Sequence, residues 1–134
     1  MRIHHIGFVV DSIERSGKRF AESLALCWNQ KVFFDSLQKV NITFMKSADQ
    51  TDPQIELVEP CGDDSPVRPF LLKGGGLHHL CYEVQSLETQ LEISCSQGSK
   101  LVRPPMPAVA FDGRRIAWIY SKERLLIEFL ESEK

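Results

Sequence analysis

Residues 4–16 read HHIGFVVDSIERS and residues 78–90 read HHLCYEVQSLETQ. Aligned at an offset of 74 (His4 to His78), five positions are identical: His4/His78, His5/His79, Val10/Val84, Ser12/Ser86 and Glu14/Glu88. Ile6/Leu80, Phe8/Tyr82 and Ile13/Leu87 are conservative. The same offset sets Ile42-Thr43-Phe44-Met45 on Ile116-Ala117-Trp118-Ile119. An offset of 72 (Ile55 to Ile127) sets Ile55-Glu56-Leu57-Val58-Glu59 on Ile127-Glu128-Phe129-Leu130-Glu131. Three matches in the same order at nearly one spacing identify two copies of one structural unit.

Each copy is punctuated alike. An alternating stretch (3–10; 77–84) reads as a strand and runs into a cap-type pair, Asp11-Ser12 or Gln85-Ser86. An amphipathic helix comes next, with Ile13, Phe20 and Leu24 on one face in the first copy and Leu87 and Leu91 in the second. Gly98 is suited to ending the second helix. Alternation then marks strands over 40–46 and 54–59, and over 115–120 and 125–130. Between the copies, Ser65-Pro66 opens a short helix reaching about Lys73, and Gly74-Gly75-Gly76 forms a joint. Pro104-Pro105-Met106-Pro107 reads as a rigid extended loop, and Asp112-Gly113 as a tight turn. The fold class predicted is α+β, one domain over 1–134, built as two tandem βαβββ modules: 1–60, a connector 61–76, and 77–134.

Composition sets the bounds. The chain has 134 residues, 43% of them hydrophobic and 25% charged, with a net charge of −2. At that length roughly two-thirds of the unfolded chain's surface can be buried, enough for one core without staples. A pI near 6.1 with no basic run argues against a nucleic-acid partner held by phosphate neutralisation. No apolar run reaches the roughly 18 residues of a membrane helix, so no membrane partner is expected. Met1-Arg2-Ile3-His4 does not lead into a signal-type apolar stretch. Cys27, Cys61, Cys81 and Cys95 lack Cys-x-x-Cys spacing and read as reduced, mostly buried thiols of a cytoplasmic protein.

Strand alternation assigns faces. In the first strand Ile6, Phe8 and Val10 form the bulky row that packs under the helix, and His4 shares it; His5, Gly7 and Val9 lie opposite. In the second copy Leu80, Tyr82 and Val84 form that row with His78, and His79, Cys81 and Glu83 lie opposite. Glu56 opposes Ile55 and Leu57; Glu128 opposes Ile127 and Phe129. One His and one Glu from each copy therefore leave the helix-packed face. Any one of them alone fits a solvent-facing strand glutamate or a hydrogen-bonded histidine. Four, repeated in type and phase, point to a site. If the copies pair about a pseudo-twofold axis, His5, Glu56, His79 and Glu128 converge. Their mixed nitrogen and oxygen donors suit one divalent Co, Ni, Zn, Mn or Fe ion.

His5-Ile6-Gly7, Gln54-Ile55-Glu56-Leu57-Val58-Glu59-Pro60, Gly76-Leu77-His78-His79-Leu80 and Leu126-Ile127-Glu128-Phe129-Leu130 resemble the vicinal oxygen chelate superfamily. That superfamily includes glyoxalase I, methylmalonyl-CoA epimerase, extradiol dioxygenases and bleomycin-resistance proteins. The resemblance covers essentially the whole chain and is nearest to methylmalonyl-CoA epimerase, through Ser65-Pro66-Val67 and Phe70-Leu71-Leu72-Lys73. It implies a half-open barrel around a metal-binding cleft, a homodimer, and His5, Glu56, His79 and Glu128 as ligands of one metal ion per chain. It further implies a small-molecule substrate, an acyl-CoA among the candidates, and a proton shift beside a carbonyl through a metal-stabilised enolate. Glu128 is then the first catalytic candidate and Glu56 its pseudo-symmetric counterpart, one on each face of a planar intermediate.

The strand over 40–46 carries no acid where some similar epimerases place a base, and the loop 108–114 is more apolar than theirs. A glyoxalase I-type lactoylglutathione lyase fits the same ligands. A metal-free ligand-binding or resistance protein of the same fold needs none of them. Arg68, Lys73, Arg103, Arg114 and Arg115 are candidates to hold a phosphate or carboxylate, against the plainer role of surface cations. Trp118 reads as core or interface, Trp28 as packing or dimer contact, Cys81 as a small filler, and His4 and His78 as core-edge groups.

Overall fold

In the computed structural model, which describes residues 1–133, the chain is α+β and both copies adopt the predicted β-α-β-β-β order. The first runs β1 (Arg2–Val9), α1 (Ile13–Ser23), β2 (Val32–Asp35), β3 (Val40–Met45) and β4 (Gln54–Pro60). After α2 (Arg68–Leu72), the second runs β5 (Gly76–Val84), α3 (Leu87–Ser96), β6 (Lys100–Pro107), a single 3-10 turn (Val109–Phe111), β7 (Arg115–Tyr120) and β8 (Leu126–Glu131). Two compact units emerge: His5–His78, and Met1–His4 together with the chain from His79 onward. Among the described residues no helix is long and apolar enough to cross a membrane.

Each unit orders its strands alike, β2-β3-β4-β1 in the first and β6-β7-β8-β5 in the second. β1 lies parallel to β4, with Gly7 opposite Glu56, and β5 parallel to β8, with Cys81 opposite Glu128. Equivalent residues thus meet in equivalent register. The two serines of the repeat cap the two long helices: Ser12 accepts from the Arg15 N–H and Ser86 from the Thr89 N–H. Glu59 adds to the first cap by accepting from the Ile13 N–H at 2.8 Å, where the helix dipole favours negative charge.

The strands of each unit carry packed side chains on both faces. Ile13 and Phe20 of α1 pack with Met45, Leu57, Phe8 and Val10; Leu87 and Leu91 of α3 pack with Val84, Ala117, Ile119 and Phe129. The opposite face is also covered, which alternation alone did not reveal. In the first unit α2 lays Phe70 and Leu71 over Val9, Val40, Ile42 and Val58. In the second, Phe111 of the 3-10 turn packs with Cys81, Ala108, Ile116 and Leu130. Cys81 is thus the small filler expected.

Several expectations need correcting. Leu24 does not share the buried face of α1; it is the C-cap residue and 56% exposed. The face is completed instead by Gly17, where an added Cβ would stand 2.4 Å from the Trp28 ring. Trp28 is therefore packing: its indole N–H donates to Thr43 Oγ1 at 2.8 Å. The connector helix starts at Arg68, later than Ser65-Pro66, and the proline of its first turn is Pro69. The proline-rich stretch 104–107 is part of strand β6, which among the described residues pairs with β7 alone and has register shifts between Leu101 and Arg103 and between Arg103 and Met106. Proline lacks the N–H a ladder needs and is tolerated at such an edge. Asp112 and Gly113, with φ of 53° and 83°, make the tight turn expected there. No disulfide forms among the described residues, but only Cys81 is buried; Cys27 and Cys95 are exposed and Cys61 is half-buried.

Replacing Gly17 by Ala forces a methyl into the Trp28 ring. We expect Gly17→Ala to lower unfolding stability by about 1–3 kcal/mol in urea titration, as overpacking does.

Candidate functional site

His5 is fully buried and Glu56 is 4% exposed. His5 Nε2 stands 3.5 Å from Glu56 Oε1. In the other unit His79 is 2% and Glu128 3% exposed, and His79 Nε2 stands 3.5 Å from Glu128 Oε1. The solvent-facing alternative for the two glutamates is thereby excluded. Both distances exceed the roughly 2.7–3.2 Å of a well-formed hydrogen bond. Two donors each about 2.1 Å from one tetrahedral ion stand about 3.4 Å apart. Each pair therefore has the separation of two ligands on a shared ion, and imidazole with carboxylate is the donor set such an ion takes. The residues present fit a divalent metal.

The surroundings repeat as well. Phe44 is the β3 partner directly across from Glu56, and Trp118 the β7 partner across from Glu128. The Phe44 ring meets His5 edge-on at 5.4 Å between centroids; the Trp118 ring meets His79 at 4.7 Å. Each imidazole is thus braced by an aromatic wall, which limits its rotation and excludes water from its flank. The offset of 74 already paired these two aromatics, but their role as walls of the histidines was missed. His4 and His78 remain outside the pairs: His4 meets Phe111 at 5.4 Å and His78 meets Phe70 at 4.9 Å, both edge-on.

Most of the cations proposed as anion holders have structural duties. Arg68 donates to the Gly62 and Pro60 carbonyls. Arg114 donates to Glu83 at 2.8 Å and to the Glu131 carbonyl. Arg115 bridges Glu88 and Glu131, which holds the Glu88 carboxyl below its ordinary pKa and raises the guanidinium further. Arg103 is half-buried, across from Trp118 on β6.

Known proteins resemble this chain in sequence and in fold. A family model described as the Glyoxalase/Bleomycin resistance protein/Dioxygenase superfamily matches residues 4–118. The uncharacterized protein YqjC of Bacillus subtilis (strain 168) is 33% identical over 133 residues, spanning 97% of this chain and 91% of its own length. The ethylmalonyl-CoA/methylmalonyl-CoA epimerase of Cereibacter sphaeroides is 31% identical over 72 residues. That match spans 52% of this chain and 54%, about half, of the epimerase. The crystal structure of methylmalonyl-CoA epimerase from Mycobacterium tuberculosis shares the fold, with a TM-score of 0.84 over 98% of this chain and 88% of its own at 24% identity.

Trp118 is 7% exposed and braces His79. Trp118→Ala should cost about 3–5 kcal/mol in chemical denaturation, as large aromatic deletions do, while Trp118→Phe should recover most of it by restoring the edge-on ring.

Proposed function

The chain belongs to the glyoxalase/bleomycin resistance protein/dioxygenase superfamily, and from that premise we propose a metal-dependent epimerase that moves a proton on the carbon beside the carbonyl of an acyl-CoA thioester. The observation that carries the reading is the duplicated pair, a buried imidazole and a buried carboxylate 3.5 Å apart in each unit. In this reading His5, Glu56, His79 and Glu128 together hold one divalent ion. The named epimerase relative favours a branched malonyl-CoA as substrate. Cytoplasmic location and a homodimer belong to the same reading, the first from the thiols, the second from the family.

A divalent ion held there supplies Lewis-acid stabilisation of the charge that gathers on the carbonyl oxygen. The chain's own residues do the rest. Glu128 takes the proton from carbon onto its second carboxylate oxygen, and Glu56, from the pseudo-symmetric position, returns one to the opposite face. No side chain on β3 supplies an acid, since its residues read Val40-Asn41-Ile42-Thr43-Phe44-Met45. In this reading the two glutamates carry both proton transfers. Phe44 and Trp118 keep the imidazoles oriented and their flanks dry.

The test is deuterium exchange. Metal-loaded protein in D2O should place deuterium at C2 of methylmalonyl-CoA or ethylmalonyl-CoA and equilibrate the two epimers. Glu128→Gln should lower the exchange rate by about 10²-fold or more. Glu56→Gln should slow inversion more than exchange, because one face keeps its base. Absence of exchange by the metal-loaded wild type with both thioesters would contradict the proposal.

A further inference from the structure

The inner face of the first unit changes character along its length. At one end Val9, Ile42 and Val58 are sealed by Phe70 and Leu71. In the middle stand His5, Glu56 and Phe44. Two residues further along each strand, and so on the same face, come Lys46 after Phe44 and Gln54 before Glu56. There a cleft of about 510 Å³ opens, lined by Phe44, Lys46, Gln54, Lys31 and Phe33 among others, and among the described residues no carboxylate lines it. That volume suits part of a small ligand.

The lysines are set there by structure. The Lys31 ammonium lies 4.9 Å from the centroid of the Phe33 ring. Its loop is pinned by the Thr43 hydroxyl, which donates to the Lys31 carbonyl at 2.7 Å while accepting the Trp28 indole N–H. Asn29 Oδ1 accepts the Lys31 N–H at 2.8 Å. Lys46 is fixed through its backbone by paired hydrogen bonds with Cys27, at 2.7 and 3.0 Å. The repeat offers a contrast. The positions equivalent to Lys46 and Gln54 in the second copy are Tyr120 and Leu126. The His–Glu pairs stayed alike while the residues beyond them diverged, and only the first copy has a lysine at that place.

We infer that this cleft is an anion subsite, in which Lys31 and Lys46 receive a phosphate or carboxylate of the substrate whose reacting end lies at the His5–Glu56 pair. The inference rests on the proposed reading for that reacting end. Lysine ammonium groups act as point charges toward such oxygens, and Phe33 and Phe44 offer apolar wall to the atoms between.

Direct binding separates this inference from the catalytic one. Titration calorimetry of the metal-loaded protein with coenzyme A, pyrophosphate and methylmalonate is compared among wild type, Lys31→Ala/Lys46→Ala and Arg103→Ala. We expect the double variant to weaken at least one of these probes tenfold or more, with a flatter salt dependence, and Arg103→Ala to weaken it less. Loss confined to coenzyme A and pyrophosphate assigns the subsite to phosphate; loss confined to methylmalonate assigns it to carboxylate. Equal affinities in wild type and double variant, a loss that tracks Arg103, or no binding of any probe would overturn the inference. Binding that depends on the lysines in a protein that exchanges no C2 proton would leave the subsite standing and remove the epimerase.

Discussion

A carboxylate placed beside an imidazole within a nearly water-free sheet is the constraint around which each unit is built. Removing such groups from water costs several kcal/mol per charged group unless a partner compensates. Packing alone gives no reason to keep Glu56 and Glu128 at 4% and 3% exposure where a leucine would fill the space. Gly7 and Cys81 opposite the glutamates keep the ladder position small, Phe44 and Trp118 brace the rings, and apolar covers close the far end of each face. In the proposed reading a divalent cation is the compensating partner of both pairs.

Much of this was legible because the signals are local and occur twice. Ser12 and Ser86 each stand directly before an amphipathic stretch, the position of a helix start, and the structure shows both as caps. Period-two alternation placed His5, Glu56, His79 and Glu128 away from the helices without knowledge of any contact. What alternation cannot report is what covers a face. The covers of these faces, α2 and the 3-10 turn, come from segments outside the strands they cover. The proline run in β6 misled for a related reason: proline argues against a central strand, and only the sheet order shows that β6 has a neighbour on one side. Gly17 gave no apolar signal because its contribution to the core is the space it leaves for Trp28.

Duplication also separates what the two copies share from what each has become. The His–Glu distance, the aromatic brace and the register are common to both. Around them the copies differ: Glu59 serves a helix N-terminus and its partner Asn41, whereas its counterpart Glu131 is tied to Arg115. Lys46 and Gln54 stand where the other copy has Tyr120 and Leu126. Lys31 was missed in the sequence because its position depends on a loop with Gln30 at a φ of 63° and on hydrogen bonds from Trp28 and Thr43. Like pairs with unlike surroundings suit, in the proposed reading, a substrate whose two ends differ.

In the proposed reading both His–Glu pairs serve a single ion. Metal content per chain, measured by mass spectrometry on protein purified without a metal-affinity tag or chelator, tests it most directly, alongside His5→Ala and His79→Ala prepared in the same way. Close to one divalent Co, Ni, Zn, Mn or Fe per chain is expected in the wild type, with near-complete loss in either variant. No ion after incubation with each metal, or two ions per chain with each variant losing only one, would contradict it.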